Sequence, residues 1–384
     1  MSLAAIGAIA APAQQLDRVL REAIQRNGVP AVAATVANAS EILYTGAFGI
    51  RDSASRQPVT PDSIFQIASM TKAITCAAAL QLVDQEKLSL DTPLSRYLPE
   101  YASPQVLDGF HSSGKPILRP AKRPITLRHL LTHTGGFAYD LWNADLRRLN
   151  LSPHKTPIPP LMTDPGTRWE YGTNIDQIGR MVEIASGQTL EAYFQKHLLG
   201  PLGMPDTSYI LPEAKLPRKV RYWSRENGGP LKEDPFTPPA PPKSFNGGGG
   251  LYSTTGDYVK FMQLILRGGA PGVLSPAMVD AMSRNQTGAL PAGKMKTANP
   301  GRSSDVDFHP GVDDGFTFGF LINTRAYSKG RSAGSLAWAG LYNTFYWIDP
   351  VKSLCATVMM QFLPFCDQSA MAVLRAFEEA VYAA

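Results

Sequence analysis

Residues 13–27 (AQQLDRVLREAIQRN) set Leu16, Val19, Leu20 and Ile24 at helical spacing, and Gly28-Val29-Pro30 stops the run, so the pattern predicts an amphipathic first helix. Residues 32–37 and 42–48 are β-prone runs joined by Asn38-Ala39-Ser40, a hairpin signal. A long helix is predicted over residues 69–86; it is apolar almost all round, so it belongs inside the molecule. From about residue 90 to 250 Pro and Gly recur, helical pieces (127–131, 175–185, 190–198) are short, and few alternating runs appear. Two Pro-rich stretches, 152–165 and 230–242, are long for connectors and read either as covers of a cleft or as plain surface loops. After Gly247-Gly248-Gly249-Gly250, Thr254-Thr255-Gly256-Asp257 is a capping signature for a helix over 258–266. Strand-like runs follow at 316–323, 335–338, 344–348 and 354–361, before a closing helix over 369–382.

The closely spaced late strands imply an antiparallel sheet on which the terminal helices pack together. The fold class is therefore α/β (α+β). Residues 1–88 and 247–384 are expected to form a discontinuous sheet domain, with 89–246 a helical, loop-rich domain. No internal repeat is visible.

Composition narrows the function classes. A chain of 384 residues with 44% hydrophobic and 18% charged residues is neither disordered nor a disulfide-stapled miniprotein. The net charge of +5 is spread thinly, without basic runs interleaved with aromatics, so no nucleic-acid partner is expected. No stretch reaches the ~18 apolar residues of a spanning helix, so no membrane partner is expected either; residues 3–13 are short, Ala-rich and without a basic flank. Cys76, Cys355 and Cys366 form no C-x-x-C pair and read as buried thiols of a reducing, cytoplasmic compartment, with a periplasmic or secreted location left open. No metal or cofactor motif appears: H-E-x-x-H is absent and the six histidines are scattered.

Two nucleophile signatures compete. Gly330-Arg331-Ser332-Ala333-Gly334 fits G-x-S-x-G, yet no histidine follows Ser332 and a strand-like run, not a helix, comes after it. The pattern reads as a hairpin tip. S-x-x-K occurs three times, opening at Ser69, Ser112 and Ser152, the last inside the first Pro-rich stretch. Ser112-Ser113-Gly114-Lys115 lies between Gly109 and Pro116, where nothing holds its side chains together. Ser69-Met70-Thr71-Lys72 opens the long buried helix, where i to i+3 spacing places hydroxyl and amine on one face. There Ser69's own N–H, orphaned in the first turn, can serve as half of an oxyanion hole, and a desolvated lysine can act as base toward the hydroxyl. The same four residues also fit a serine N-cap with a solvated lysine; the apolar character of the helix argues against that.

At these residues the chain resembles the serine β-lactamase-like hydrolases, specifically class C β-lactamases and the related family VIII carboxylesterases. The likeness rests on Phe65-Gln66-Ile67-Ala68-Ser69-Met70-Thr71-Lys72, on Ile125-Thr126-Leu127-Arg128-His129-Leu130-Leu131-Thr132-His133-Thr134-Gly135-Gly136, on Trp169-Glu170-Tyr171, on the Gly247–Gly250 run, and on Trp338-Ala339-Gly340. It implies the β-lactamase/transpeptidase-like fold. It also implies Tyr171 as partner of Ser69 and Lys72, although the family's Y-x-N asparagine falls one place late, at Asn174. Trp338-Ala339-Gly340 stands where β-lactamases carry K-T-G, so a carboxylate-binding cation is replaced by an apolar ring, as in the esterase relatives. By the same resemblance, the N–H of Leu341 joins Ser69 in the oxyanion hole, and Gly340 lets its strand approach the substrate. Phe137, Tyr139 and Trp142 are candidate pocket residues, while His133 is expected to shape a turn.

The resulting expectation is a serine carboxylesterase without cofactor, acting on short to medium-chain esters through an acyl-enzyme. A β-lactamase, a D-amino-acid peptidase, an acyltransferase and a sensor acylated once and never turned over share the nucleophile and stay open. The sequence carries no signal for oligomeric state.

Overall fold

Leu16, Leu20 and Ala23 give the first helix a buried stripe, and α1 runs Ala13–Gln25. The computed structural model describes residues 13–154, 156, 158–226, 228–235 and 242–383; residues 3–12 of the apolar N-terminal stretch lie outside them. A hairpin of β1 (Ala31–Asn38) and β2 (Ile42–Gly49) follows. Short strand β3 (Phe65–Gln66) and a 3-10 turn over Ala68–Met70 lead into α2 (Thr71–Asp84). The expected single helix thus begins as a tighter turn, with Ser69 inside it. Residues 71–82 of α2 are all buried, as their all-round apolar character predicts.

The middle of the chain holds α3 (Leu127–Leu131), α4 (Ala144–Leu151), α5 (Asn174–Ser186) and α6 (Leu190–Phe194). It also holds a hairpin of β4 (Gln105–Phe110) and β5 (Pro116–Pro120), whose prolines and bulge between Leu107 and Gly109 hide its alternation. The second S-x-x-K sits in that hairpin's turn, where His111 N–H donates to Lys115 O. The Pro-rich stretches are described in part. Leu161 pairs with β4 and Met162 N–H donates to Gly136 O, so the first is stitched to the protein's wall. The second begins as β7 (Lys232–Glu233), paired with β6 (Trp223–Ser224), and residues 236–241 lie outside the described part.

Short strand β8 (Tyr252–Ser253) precedes α7 (Thr255–Leu266), whose N-cap Thr254 accepts from Asp257 N–H, and α8 (Pro276–Ser283) follows. The late strands are β9 (Gly315–Phe316), β10 (Leu321–Ile322), β11 (Leu336–Gly340), β12 (Thr344–Asp349) and β13 (Leu354–Met359). Residues 316–323 are thus two strands around a turn rather than one. After β14 (Phe362–Leu363), α9 (Gln368–Tyr382) closes the chain.

Seven strands form one antiparallel sheet in the order β2-β1-β13-β12-β11-β10-β9. Neighbouring residues on a strand face opposite sides, and the contacts assign the layers. Tyr44 bonds Asp17 of α1 and packs on Phe377 of α9, and Trp347 bonds Tyr382 of α9. On the other face Thr35 bonds Thr255 and Tyr346 packs on Tyr258, both of α7. The sheet therefore has helices on both sides, with α1 and α9 paired on one. All three cysteines are free and buried. No helix among the described residues is long and apolar enough to cross a membrane.

Candidate active site

The 3-10 turn carrying Ser69 packs against the end of β11, so closely that a side chain at Gly340 would run into the Ile67 carbonyl. That contact by itself requires a glycine. Ala68 is held in the left-handed region at φ 43°, which turns Ser69 out of the strand–helix junction at a cost of ~1 kcal/mol or more. Ser69 is half-buried and lines a cleft of ≈ 570 Å³ together with Tyr139, Leu141, Trp142, Leu251 and Leu341.

Lys72 lies one turn below, 2% exposed, and its Nζ meets three acceptors: Ser69 Oγ at 3.0 Å, Tyr139 OH at 3.1 Å and the Gly248 carbonyl at 2.6 Å. The Gly247–Gly250 run is thereby placed against α2, where Thr75 Oγ1 also donates to Gly247 O at 2.7 Å. Tyr139 OH in turn donates to Asp176 Oδ2 at 3.3 Å. Burial first, then the neighbouring Asp176 and Tyr171, push the Tyr139 phenol well above its usual range, so it keeps its proton.

The tyrosine expected beside Ser69 and Lys72 is arranged differently. Tyr171 sets its ring centroid 5.0 Å from Lys72 Nζ, while its hydroxyl accepts from Trp338 Nε1 at 3.1 Å. The hydroxyl that Lys72 reaches is that of Tyr139, which the sequence offered only as a pocket residue. The two rings lie 5.4 Å apart because residues 171–173 press against 137–139: a Cβ on Gly172 would overlap the Phe137 carbonyl.

Other expected pocket residues lie behind the cleft wall. Trp338 is 5% exposed, its ring packed against Tyr171 and Phe316, so it braces Tyr171 and does not face the cleft. Phe137 is buried against Tyr101. Asn174 is fully buried, with Nδ2 shared among His133 Nδ1 at 3.1 Å, Phe137 O and Glu170 O, tying the two loops together. His133 shapes its turn at φ 53°, and burial, with Lys72 second, holds its imidazole well below the ordinary histidine range. Leu341 does line the cleft. Asp176, Asn299, Arg302 and Tyr342 are not marked by any motif in the sequence, and Gly248 is marked only as part of the glycine run. Asp176 resembles any first-turn acid of a helix, and Arg302 sits in a loop far along the chain. Ser332 lies in the β10–β11 connection, outside the cleft lining. Among the described residues no three His, Cys, Asp or Glu side chains converge as a metal site.

A family model described as Beta-lactamase matches residues 16–376. The chain belongs to that family. Within it, the chain is 30% identical to monacolin J acid methylbutanoyltransferase of Aspergillus terreus, over 98% of this chain and 97% of that protein. It is 29% identical to esterase EstB of Burkholderia gladioli, over 90% of each. A solved mutant simvastatin synthase from Aspergillus terreus superposes with a TM-score of 0.85 at 30% identity, over 98% of both chains. The fold is thus the β-lactamase/transpeptidase-like one, and its relatives include both ester-cleaving and acyl-transferring enzymes.

Proposed function

We propose that this Beta-lactamase family protein is a serine carboxylesterase that forms its acyl-enzyme on Ser69. The observation that carries the reading is the 3.0 Å contact between Ser69 Oγ, open to the cleft, and the buried Lys72 Nζ. Ser69 attacks the ester carbonyl as its proton passes to the Lys72 amine; the tetrahedral oxyanion is received by the N–H groups of Ser69 and Leu341. Lys72 then returns the proton to the leaving alcohol, and water repeats the cycle to release the acid. Tyr139, kept protonated, holds Lys72 in line through a hydrogen bond to its Nζ. Tyr171, fixed by Trp338, supports the same amine with its ring face.

The cleft's apolar side chains, Leu141, Trp142, Leu251 and Leu341, suit a neutral acyl group, and no K-T-G cation stands on β11. The test is hydrolysis of 4-nitrophenyl esters from acetate to octanoate beside a chromogenic cephalosporin. Short and medium esters should be cleaved with the higher kcat/KM; a cephalosporin turned over faster than the butyrate contradicts the reading. A second reading, acyl transfer to an alcohol, draws support from the similarity to the methylbutanoyltransferase across nearly the whole chain. It predicts a new ester, detected by chromatography, when an alcohol acceptor is added.

A further inference from the structure

Among the described residues the cleft around Ser69 is lined by two charged side chains, Asp140 and Arg302. Asp140 is occupied: its Oδ2 accepts from Asn150 Nδ2 at 3.2 Å. Arg302 is exposed, and among the described residues its guanidinium enters no ion pair or hydrogen bond. An arginine with five donors left to solvent on a cleft wall is a ready partner for a planar anion.

Its position is fixed by the backbone. Arg302 N–H donates to Asn299 O at 2.9 Å, its carbonyl accepts from Phe365 N–H at 2.9 Å, and the next residue's hydroxyl, Ser303 Oγ, accepts from Trp142 Nε1 at 2.9 Å. Trp142 is itself a cleft residue, so this bond ties the loop to the cleft lining. Tyr342, next to the expected oxyanion donor Leu341, feels the same charge: Arg302 draws its phenol down against the rise that burial causes. Asn299 adds an amide to the same stretch of the lining.

We propose that Arg302 is a specificity-determining residue that recognises a carboxylate carried by the ester substrate bound in the cleft. The inference rests on Ser69 being the reacting serine of this cleft. It moves the cation that β-lactamases carry on the K-T-G strand to a different loop, and so gives an esterase site a preference among esters rather than a β-lactam site.

The test compares matched ester pairs at low ionic strength. Mono-4-nitrophenyl adipate against 4-nitrophenyl hexanoate places the carboxylate on the acyl side; 4-carboxyphenyl butyrate against phenyl butyrate places it on the leaving group. In at least one pair, Arg302→Gln should lower the anionic-to-neutral ratio of kcat/KM about tenfold, as expected for an exposed charge-assisted contact, with Arg302→Lys intermediate. Added salt should erode the ratio of the unaltered protein and leave that of Arg302→Gln flat, a readout independent of how well any variant folds. Ratios in both pairs that stay within twofold on Arg302→Gln, or a salt-insensitive ratio in the unaltered protein, overturn the proposal. Failure of the underlying reading looks different: Ser69→Ala would then hydrolyse both members of a pair as the unaltered protein does.

Discussion

Among the described residues two basic side chains, Arg331 and Lys72, are buried, and their surroundings differ in one respect. Arg331, in the β10–β11 connection, is 6% exposed and grips the Glu378 carboxylate through two side-chain bonds, Nε at 2.9 Å and Nη2 at 2.6 Å. Lys72, 2% exposed, has only neutral oxygens in contact, from Ser69, Tyr139 and Gly248; the nearest carboxylate in its network, Asp176, is reached through Tyr139. A buried cation matched by a carboxylate is fixed in its charge and serves the fold. An amine that touches only neutral oxygens, one of them the Ser69 hydroxyl, is placed to exchange a proton with that hydroxyl. The G-x-S-x-G signature surrounds the first cation and the S-x-x-K signature supplies the second, so the contrast also separates the two serines.

The largest expected effect breaks the comparison at its reactive end. Ser69→Ala and Lys72→Ala should each lower kcat for 4-nitrophenyl butyrate by ~10⁴-fold or more, while Ser332→Ala keeps most of it. Loss of turnover in the Ser332 variant alone would exchange the two sites' roles. At the structural end, Glu378→Gln leaves Arg331 buried without its counter-charge and should cost about 3–5 kcal/mol in urea unfolding, with the folded fraction still active. A variant as stable as the parent would show that the pair contributes nothing net.

Next come the two tyrosines. Tyr139→Phe removes a hydrogen bond to Lys72, and Tyr171→Phe removes the oxygen that Trp338 holds; each should lower kcat ~10²-fold. Unchanged kcat in Tyr171→Phe, with Tyr139→Phe impaired, would leave Tyr139 as the phenol that matters. The smallest effect is a slope. His133 is buried and neutral, its folded pKa lowered, whereas the unfolded chain takes up a proton near pH 6.5. The unfolded state therefore binds more protons below that pH, and stability should fall on acidification by up to ~1.4 kcal/mol per pH unit. His133→Asn, which tolerates the left-handed backbone, should flatten that decline between pH 7 and 5; an equally steep decline in the variant assigns it to other groups.

Much of this arrangement was legible in the sequence, and the missing parts have physical reasons. Helix α2 and its motif were readable because S-x-x-K needs only one helical turn to bring its groups together, and the apolar surroundings declare the burial. The paired terminal helices followed from closely spaced late strands. Tyr139 was visible as a cleft residue, but its bond to Lys72 depends on how the 137–139 and 171–173 loops abut, a contact set by Gly172 rather than by any spacing. Trp338 read as a substrate contact because Trp338-Ala339-Gly340 stands where β-lactamases carry K-T-G; the structure packs its indole against Tyr171. Arg302 and Asp176 reach the site from 233 and 107 residues beyond Ser69, and no local pattern marks such tertiary neighbours.

The central claim, that Ser69 beside Lys72 carries the acyl group, is tested most directly by trapping the intermediate. The protein is mixed with 4-nitrophenyl hexanoate, quenched in acid within the first turnovers, digested, and its peptides are weighed by mass spectrometry. A hexanoyl mass on the peptide holding Ser69, absent from Ser69→Ala, is the predicted result. A hexanoyl group on the peptide holding Ser332, or undiminished turnover by Ser69→Ala, would contradict it.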